Sequence, residues 1–140
     1  MVARPGFTLP ELVVALVVLG VAAALGLRGL AHLTDAGAVR GAAAEVRSAF
    51  AAARSLAVRR GERAAVRLDT GAGVVAVHLR ADTVLRRSLT ELYRVRLSAT
   101  RDSAAYGATG LGYGGSNLRV IVRRAAAVET VVVSRLGRVR

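Results

Sequence analysis

A chain of 140 residues has room for one folded domain of ordinary size, and 54% hydrophobic against 21% charged residues excludes a wholly disordered protein. Aromatic residues make up only 4% and cysteine is absent, so the core must be aliphatic and disulfides, thiolate metal sites and cysteine nucleophiles are excluded. All 21 basic residues are arginine, and the net charge of +12 points to anionic partners such as lipid, nucleic acid or acidic protein surfaces.

The apolar residues are concentrated near the N-terminus. Residues 12–27 include no polar or charged side chain, and extension back to Phe7 adds only Thr8, Pro10 and Glu11 as interruptions. A helix over residues 7–27 would be about 31 Å long, close to the hydrocarbon thickness of a bilayer. A secretory signal peptide is the alternative, but its apolar core is shorter and is followed by a small-residue cleavage site. We therefore predict a membrane-spanning helix.

Glu11 is an ionisable residue near the start of this apolar segment. A charged side chain at the centre of a spanning helix costs about 2.5–3.5 kcal/mol, and less near an end, so it marks a functional site by default. Two interpretations are open. Glu11 could lie at headgroup depth in contact with water, or it could be neutralised by a buried cation.

The segment from Arg4 to Leu12, RPGFTLPEL, resembles the processing site of type IV prepilins and type II secretion pseudopilins. The resemblance implies cleavage by the membrane-bound prepilin peptidase between Gly6 and Phe7, followed by methylation of the new N-terminus at Phe7. Glu11 would become the fifth residue of the mature chain, the position of that family's characteristic glutamate. We hypothesise that Glu11 neutralises the Phe7 amine of a neighbouring subunit and so sets the register of assembly, because a buried charge is tolerated only when it is paired.

An amphipathic helical pattern follows the apolar segment and is expected to run to about Arg60, with Gly61 as its stop. Its apolar positions recur at steps of three and four residues: Val39, Ala43, Val46, Phe50, Ala53 and Ala57. Arg40, Arg47 and Arg54 recur at steps of seven on another face. We interpret this basic stripe as a solvated face, with lipid headgroup or subunit contacts as the alternative.

Beyond Gly61 the apolar period changes to two, which predicts β-strands. A hairpin is expected from residues 63–69 and 74–80 around the turn at 70–73. Further strands are expected at 91–98, 119–123 and 128–134, and residues 101–117 are interpreted as a Gly-rich loop. The pattern predicts an α+β fold with a long N-terminal helix packed on an antiparallel sheet, which is also the pilin architecture.

Within the pilin-like group, residues 45–57 and 131–140 resemble the GspH/FimT family. That resemblance implies a minor pseudopilin of a type II secretion system, which assembles with other pilins or pseudopilins. FimT-like members associated with DNA uptake have a basic Gly-Arg-x-Arg ending, and residues 137–140 are similar to it. Arg135, Arg138 and Arg140, with Arg123 and Arg124 one strand earlier, could bind DNA phosphates from a flexible C-terminal end.

Motifs for an enzyme are weak. His32 and His78 are far apart and lack acidic residues at metal-ligand spacing, so we expect structural roles for both. The glycine-rich run at 110–115 lacks the strand and helix context of a phosphate-binding loop. No cofactor, metal or catalytic residue is expected.

The sequence therefore predicts a prepilin leader at 1–6, a transmembrane half-helix at 7–30, an amphipathic half-helix at 31–61 and a sheet domain at 62–140. We expect a single-pass protein of the bacterial inner membrane, in contact with its lipid, with a periplasmic C-terminal domain. A minor pilin of a type IV pilus that binds DNA for uptake is the alternative function. A third possibility is a single-pass membrane protein that never polymerises.

Overall fold

The computed structural model describes residues 6, 8–113 and 117–140, and the chain divides into two units, of which the second is Asp35–Arg140. The helices are α1 (Leu9–Arg60) and α2 (Leu89–Tyr93). The strands are β1 (Ala64–Asp69), β2 (Val74–Leu79), β3 (Asp82–Ser88), β4 (Arg96–Ala99), β5 (Ser103–Tyr106), β6 (Gly112–Tyr113), β7 (Leu118–Arg124) and β8 (Ala127–Val133). The predicted α+β class is confirmed.

The end of α1 lies where the sequence predicts it. Gly61 has a left-handed φ of +65°, and its backbone N–H donates to the carbonyl of Val58 at 3.4 Å. The N–H of Glu62 donates to the carbonyl of Ala57 at 3.2 Å. These two bonds form a Schellman motif, which satisfies carbonyls that have no partner within the helix.

The strands form two antiparallel sheets within Asp35–Arg140. The larger sheet has the order β3-β2-β1-β5-β6, and the smaller has the order β4-β7-β8. In the larger sheet the predicted hairpin is confirmed, with Ala64 opposite Leu79 and Asp69 opposite Val74. In the smaller sheet β7 and β8 pair from Leu118–Val133 to Arg124–Ala127, within a residue or two of their predicted bounds.

The core lies between the second half of α1 and the two sheets. All six residues of the predicted apolar stripe of α1 are buried, and Ala42 and Ala49 extend that buried face. Phe50 and Tyr106 are the largest side chains of the core, and valines from β1, β2, β7 and β8 pack around them. The small alanines of the stripe let the helix approach the sheets closely, and the bulk is supplied from the strands.

The predicted strand at 91–98 is wrong over its first half. Residues Leu89–Tyr93 form α2, and the strand begins only at Arg96. Ser88 caps α2, since its Oγ accepts a hydrogen bond from the Glu91 backbone N–H at 3.3 Å. The spacing Ser-x-x-Glu is a helix-start signal that could have corrected the prediction. Strand β3, which had no predicted counterpart, pairs with β2 along the edge of the larger sheet.

The interpretation of residues 101–117 as one Gly-rich loop is also wrong in part. Ser103–Tyr106 pairs with β1 as strand β5, and Gly112–Tyr113 pairs with β5 as strand β6. Two of the glycines assigned to the loop, Gly114 and Gly115, lie outside the described residues. The alternation of small residues in this segment conceals the strands, because alanine and serine carry little hydrophobic signal.

Candidate functional site

The first turn of α1 contains Glu11, which the sequence singles out for assembly. One Glu11 carboxylate oxygen, Oε2, accepts hydrogen bonds from both the backbone N–H and the hydroxyl of Thr8, each at 2.8 Å. With Thr8 at the N-cap and Glu11 three residues later, the first of these is the reciprocal half of a capping box. In the uncut chain the Glu11 charge therefore stabilises the start of its own helix.

The predicted cleavage site lies just before this turn. Gly6 is exposed and Thr8 precedes the helix directly, whereas Phe7 lies outside the described residues. Gly6 itself is not part of a helix.

The first half of α1 presents apolar side chains on every face. From Leu9 to Gly26 each residue is exposed, including Leu12, Leu16 and Leu19. The helix contains an 18-residue window with a mean hydropathy of 2.3, long and apolar enough to cross a membrane by length and composition. A helix that is hydrophobic all round needs an apolar environment to cover it.

The three C-terminal arginines belong to a folded hairpin, so the expectation of a flexible end is wrong. The backbone of Arg140 exchanges two hydrogen bonds with Val132, both at 2.9 Å, and the Ser134 N–H donates to the Arg138 carbonyl at 2.7 Å. Arg135, Arg138 and Arg140 are all exposed on this hairpin. A cavity of about 420 Å³ lies beside them, lined in part by Arg138, Arg140 and Leu136.

Two glycines and one tyrosine hold this hairpin in place. Gly137 has a left-handed φ of +81°, and a methyl group there would lie 2.5 Å from Cε1 of Tyr106. A methyl group on Gly112 would lie 2.6 Å from the carbonyl oxygen of Arg135. The Tyr106 hydroxyl donates a hydrogen bond to the Gly137 carbonyl at 3.2 Å. The backbone of the hairpin therefore packs directly against β6 and the ring of Tyr106, and neither glycine has room for a methyl group.

Tyr106 is a titratable residue that is buried in the folded unit. Burial raises the pKa of Tyr106 above its ordinary value near 10, and the positive charge of Arg54 partly opposes that rise. The neutral phenol is therefore favoured in the folded state, as its hydrogen bond to a carbonyl requires.

Arg123 and Arg124 are not neighbours of the C-terminal arginines, which corrects the grouping expected from the sequence. Arg123 lies opposite Val128 on β8, whereas Arg140 bonds to Val132, four residues further along that strand. Four residues of strand span about 13 Å. The two sets of arginines therefore lie towards opposite ends of β8.

A second arginine cluster, which we call the arginine cleft, is lined by Arg94, Arg96, Arg123, Arg124 and Ala125 and encloses about 450 Å³. Sequence reasoning missed it because Arg94 and Arg96 are nearly thirty positions from Arg123 in the chain. The pairing of β4 with β7 brings them together and sets Arg96 directly opposite Arg123.

The basic stripe of α1 is only partly solvated. Arg40 and Arg54 are exposed as expected, but Arg47 forms an ion pair with Glu129 of β8 at 2.7 Å and is partly buried. The stripe thus includes one residue that ties the helix to the smaller sheet.

The two histidines stay apart. His32 is exposed, and the His78 ring nitrogen Nδ1 lies 3.1 Å from the Thr83 hydroxyl across the β2–β3 pair. In the part of the chain that the structure describes, no group of three or more His, Asp or Glu side chains could hold a metal ion.

Comparisons with known proteins concern the N-terminal segment and the fold. Residues 1–27 match the family model for the prokaryotic N-terminal methylation motif. The fold is similar to that of the type IV minor pilin FimU of Pseudomonas aeruginosa, with a TM-score of 0.62 and 13% identity over 73% of this chain and 86% of FimU. It is also similar to the minor pseudopilin EpsH of the type 2 secretion system of Vibrio cholerae, with a TM-score of 0.57 and 11% identity over 73% of this chain and 94% of EpsH. A search of curated protein sequences gave no significant match.

The chain therefore combines an N-terminal methylation motif with a pilin-like fold, in which the second half of a long helix packs on antiparallel sheets. More particularly, the chain has the fold found in minor pilins and minor pseudopilins such as FimU and EpsH.

Proposed function

We propose that this chain is a non-enzymatic minor pseudopilin subunit of a type II protein secretion system, of the GspH/FimT type. One observation carries the proposal: the N-terminal methylation motif, residues 1–27, includes the apolar first part of α1, and the second half of that helix packs on a pilin-like pair of sheets. The prepilin peptidase would remove residues 1–6, and residues 7–30 would hold the chain in the inner membrane. The sheet domain would lie in the periplasm, where the subunit joins other pseudopilins.

Assembly would depend on the Glu11 carboxylate. In the uncut chain Thr8 satisfies one oxygen of this carboxylate. Cleavage before Phe7 leaves Thr8 as the second residue of the mature chain and creates a free amine four residues before Glu11. The Glu11 charge of one subunit would then pair with the Phe7 amine of the next, which fixes their axial register because unpaired charges in lipid are expensive.

Two variants of Glu11 separate charge pairing from helix capping. Glu11→Gln keeps an oxygen that can accept the Thr8 hydrogen bonds but removes the charge, whereas Glu11→Ala removes both. We expect both variants to insert and to be processed, and both to be lost from sheared filament fractions detected with an antibody. Normal incorporation of Glu11→Gln would contradict the charge-pairing mechanism, and normal incorporation of Glu11→Ala would contradict any assembly role for this residue.

Processing is tested directly at the new N-terminus. Mass spectrometry of the chain from a host that has the prepilin peptidase should give a mature product that begins at N-methylated Phe7. A host without the peptidase is the control and should retain residues 1–6. Retention of those residues in both hosts would contradict membership of the pilin pathway and would favour a single-pass protein that never polymerises.

A second candidate function is DNA binding by a minor pilin of a type IV pilus during DNA uptake. The observation that favours it is the C-terminal hairpin, which presents Arg135, Arg138 and Arg140 to solvent from a fixed backbone. Side chains on an ordered hairpin lose less freedom on binding than those on a flexible tail. Contacts to phosphates alone would bind DNA without sequence preference.

Salt dependence tests this second candidate. If three arginines neutralise phosphates of duplex DNA, log affinity should fall with log salt with a slope of about −2.7, and Arg138→Ala with Arg140→Ala should make the slope shallower by about 1.8. Arg59→Ala with Arg60→Ala removes the same charge from the exposed end of α1 and serves as the control. An equal effect of the two double variants would exclude a specific role for the hairpin.

A further inference from the structure

Three arginines of the arginine cleft carry charge that the described protein does not neutralise. Arg124 is held by Asp35, with Nε–Oδ1 at 2.8 Å, and it also donates to the Tyr93 carbonyl at 2.9 Å. Among the described residues, Asp35 is the one carboxylate that pairs with an arginine of this cleft. Arg94, Arg96 and Arg123 are exposed around it.

The positions of these arginines work against folding. Arg96 and Arg123 are directly opposite each other on paired strands, an arrangement in which like charges repel. Arg94 ends α2 with a left-handed φ of +53°, a conformation that glycine adopts without steric cost. A cleft that gathers charge at the expense of local stability is suited to an anionic ligand that relieves the repulsion.

The place of Asp35 in the chain indicates which anion is within reach. Asp35 follows the proposed membrane segment, residues 7–30, by five residues of α1. Five residues of chain span at most about 17 Å, so Asp35 stays within reach of the headgroup layer at the end of that segment. Because Arg124 pairs with Asp35, the cleft is tied to a residue that the chain keeps close to those headgroups.

We propose that Arg94, Arg96 and Arg123 bind the phosphate of an anionic phospholipid headgroup in the membrane that holds α1. The proposal rests on the membrane anchoring in the proposed function. Guanidinium groups bind phosphate oxygens through paired N–H donors, and Arg124 positions the cleft without giving up its pair with Asp35. The bound headgroup would hold the sheet domain against the membrane surface before assembly.

The test uses the full chain in vesicles. Because the chain has no cysteine, Ala125→Cys places a single fluorescent label at the rim of the cleft. The vesicles contain phosphatidylcholine alone or mixed with phosphatidylglycerol, together with a lipid that has a quencher on its headgroup. Each arginine near an anionic surface contributes roughly a fivefold preference, so three should raise the ratio of docked to undocked domains by about a hundredfold.

We expect stronger quenching in the phosphatidylglycerol vesicles and loss of the difference at about 1 M salt, where the Debye length is about 3 Å. Arg94→Gln, Arg96→Gln and Arg123→Gln together should abolish the difference. Arg59→Gln, Arg60→Gln and Arg67→Gln together remove the same charge from exposed positions elsewhere and should preserve it. Equal loss in both triple variants would overturn the proposal, because it would show a response to total charge alone.

Further arms distinguish the other outcomes. Flotation of the vesicles after a carbonate wash reports membrane anchoring by itself. If the chain floats but its quenching does not depend on phosphatidylglycerol, the headgroup site is overturned and membrane anchoring stands. If the chain does not float, both the membrane anchoring and the headgroup site are contradicted. Competition by inorganic phosphate at matched ionic strength, or by duplex DNA, would overturn the lipid assignment in favour of a free anion or a nucleic acid.

Discussion

Replacement of Gly137 by alanine should destabilise the C-terminal hairpin and lower the free energy of unfolding of the folded unit. The substitution puts a side chain on a residue with φ +81° and also places a methyl group 2.5 Å from Tyr106 Cε1. The left-handed conformation costs an alanine about 1–2 kcal/mol, part of which is offset because alanine has less freedom than glycine in the unfolded chain. Overpacking against a buried ring adds about 1–3 kcal/mol. The expected loss is about 2–4 kcal/mol.

Two other glycines separate the cost of the left-handed backbone from the cost of overpacking. Gly61 has φ +65° and open space where a methyl group would go, so Gly61→Ala should lose only about 1 kcal/mol. Gly107 has open space and an ordinary φ, so Gly107→Ala should be neutral or more stable by about 0.4–1 kcal/mol.

The assay is urea unfolding of the full chain in detergent micelles, followed by tyrosine fluorescence. All three tyrosines lie in Asp35–Arg140, so the signal reports that unit. A loss for Gly137→Ala no larger than that for Gly61→Ala would refute the close packing of the hairpin on Tyr106. DNA affinity of Gly137→Ala should fall together with stability if the second candidate function is correct.

Four further outcomes are expected in urea unfolding of the full chain in micelles, followed by tyrosine fluorescence near neutral pH and by circular dichroism where tyrosines ionise. Phe50→Ala should lower the free energy of unfolding by about 3–5 kcal/mol, because Phe50 is fully buried; a loss below 1 kcal/mol would contradict the core described above. The free energy of unfolding should fall as the pH rises above about 10, because folding raises the pKa of Tyr106 and so favours its neutral form. This contribution to stability is fully present below the pKa that Tyr106 has in the unfolded chain, and it is lost as the pH rises through the pKa in the folded chain. Tyr106→Phe should flatten that fall, and an unchanged slope would exclude Tyr106 as its source. Ala125→Gly should stabilise the chain by about 0.5–1 kcal/mol, since Ala125 has φ +49°; destabilisation would contradict that backbone conformation. Without anionic lipid, Arg96→Gln should stabilise it by about 0.2–1 kcal/mol through loss of the cross-strand repulsion, and a destabilised variant would indicate a structural role for Arg96.

Local patterns were sufficient for the longest elements. The stripe from Val39 to Ala57 predicted the buried face of α1, and Gly61 predicted its end, because helical period and capping depend on residues only a few positions apart. The first hairpin was equally clear, since the turn chemistry at 70–73 separates two alternating runs. The methylation motif is likewise a short local signal, which is why it is readable without a fold.

The errors occur where distant contacts decide the outcome. Ser103–Tyr106 has weak strand propensity of its own and forms a strand because β1 offers it a paired edge. The C-terminal arginines were expected to be flexible, but the backbone pairing of Val132 with Arg140 and the glycines beside Tyr106 order them. Neither contact could be read from spacing along the chain.

The amino-acid sequence by itself determined the apolar helix, the N-terminal methylation motif, the buried face of α1 and the α+β class, because each depends on residues that are neighbours in the chain. Tertiary structure alone decided which arginines share a surface. The pairing of β4 with β7 assembles the arginine cleft, and the return of the chain along β8 separates it from the C-terminal arginines. Charge can be counted from a sequence, but the field it creates depends on where the strands place it.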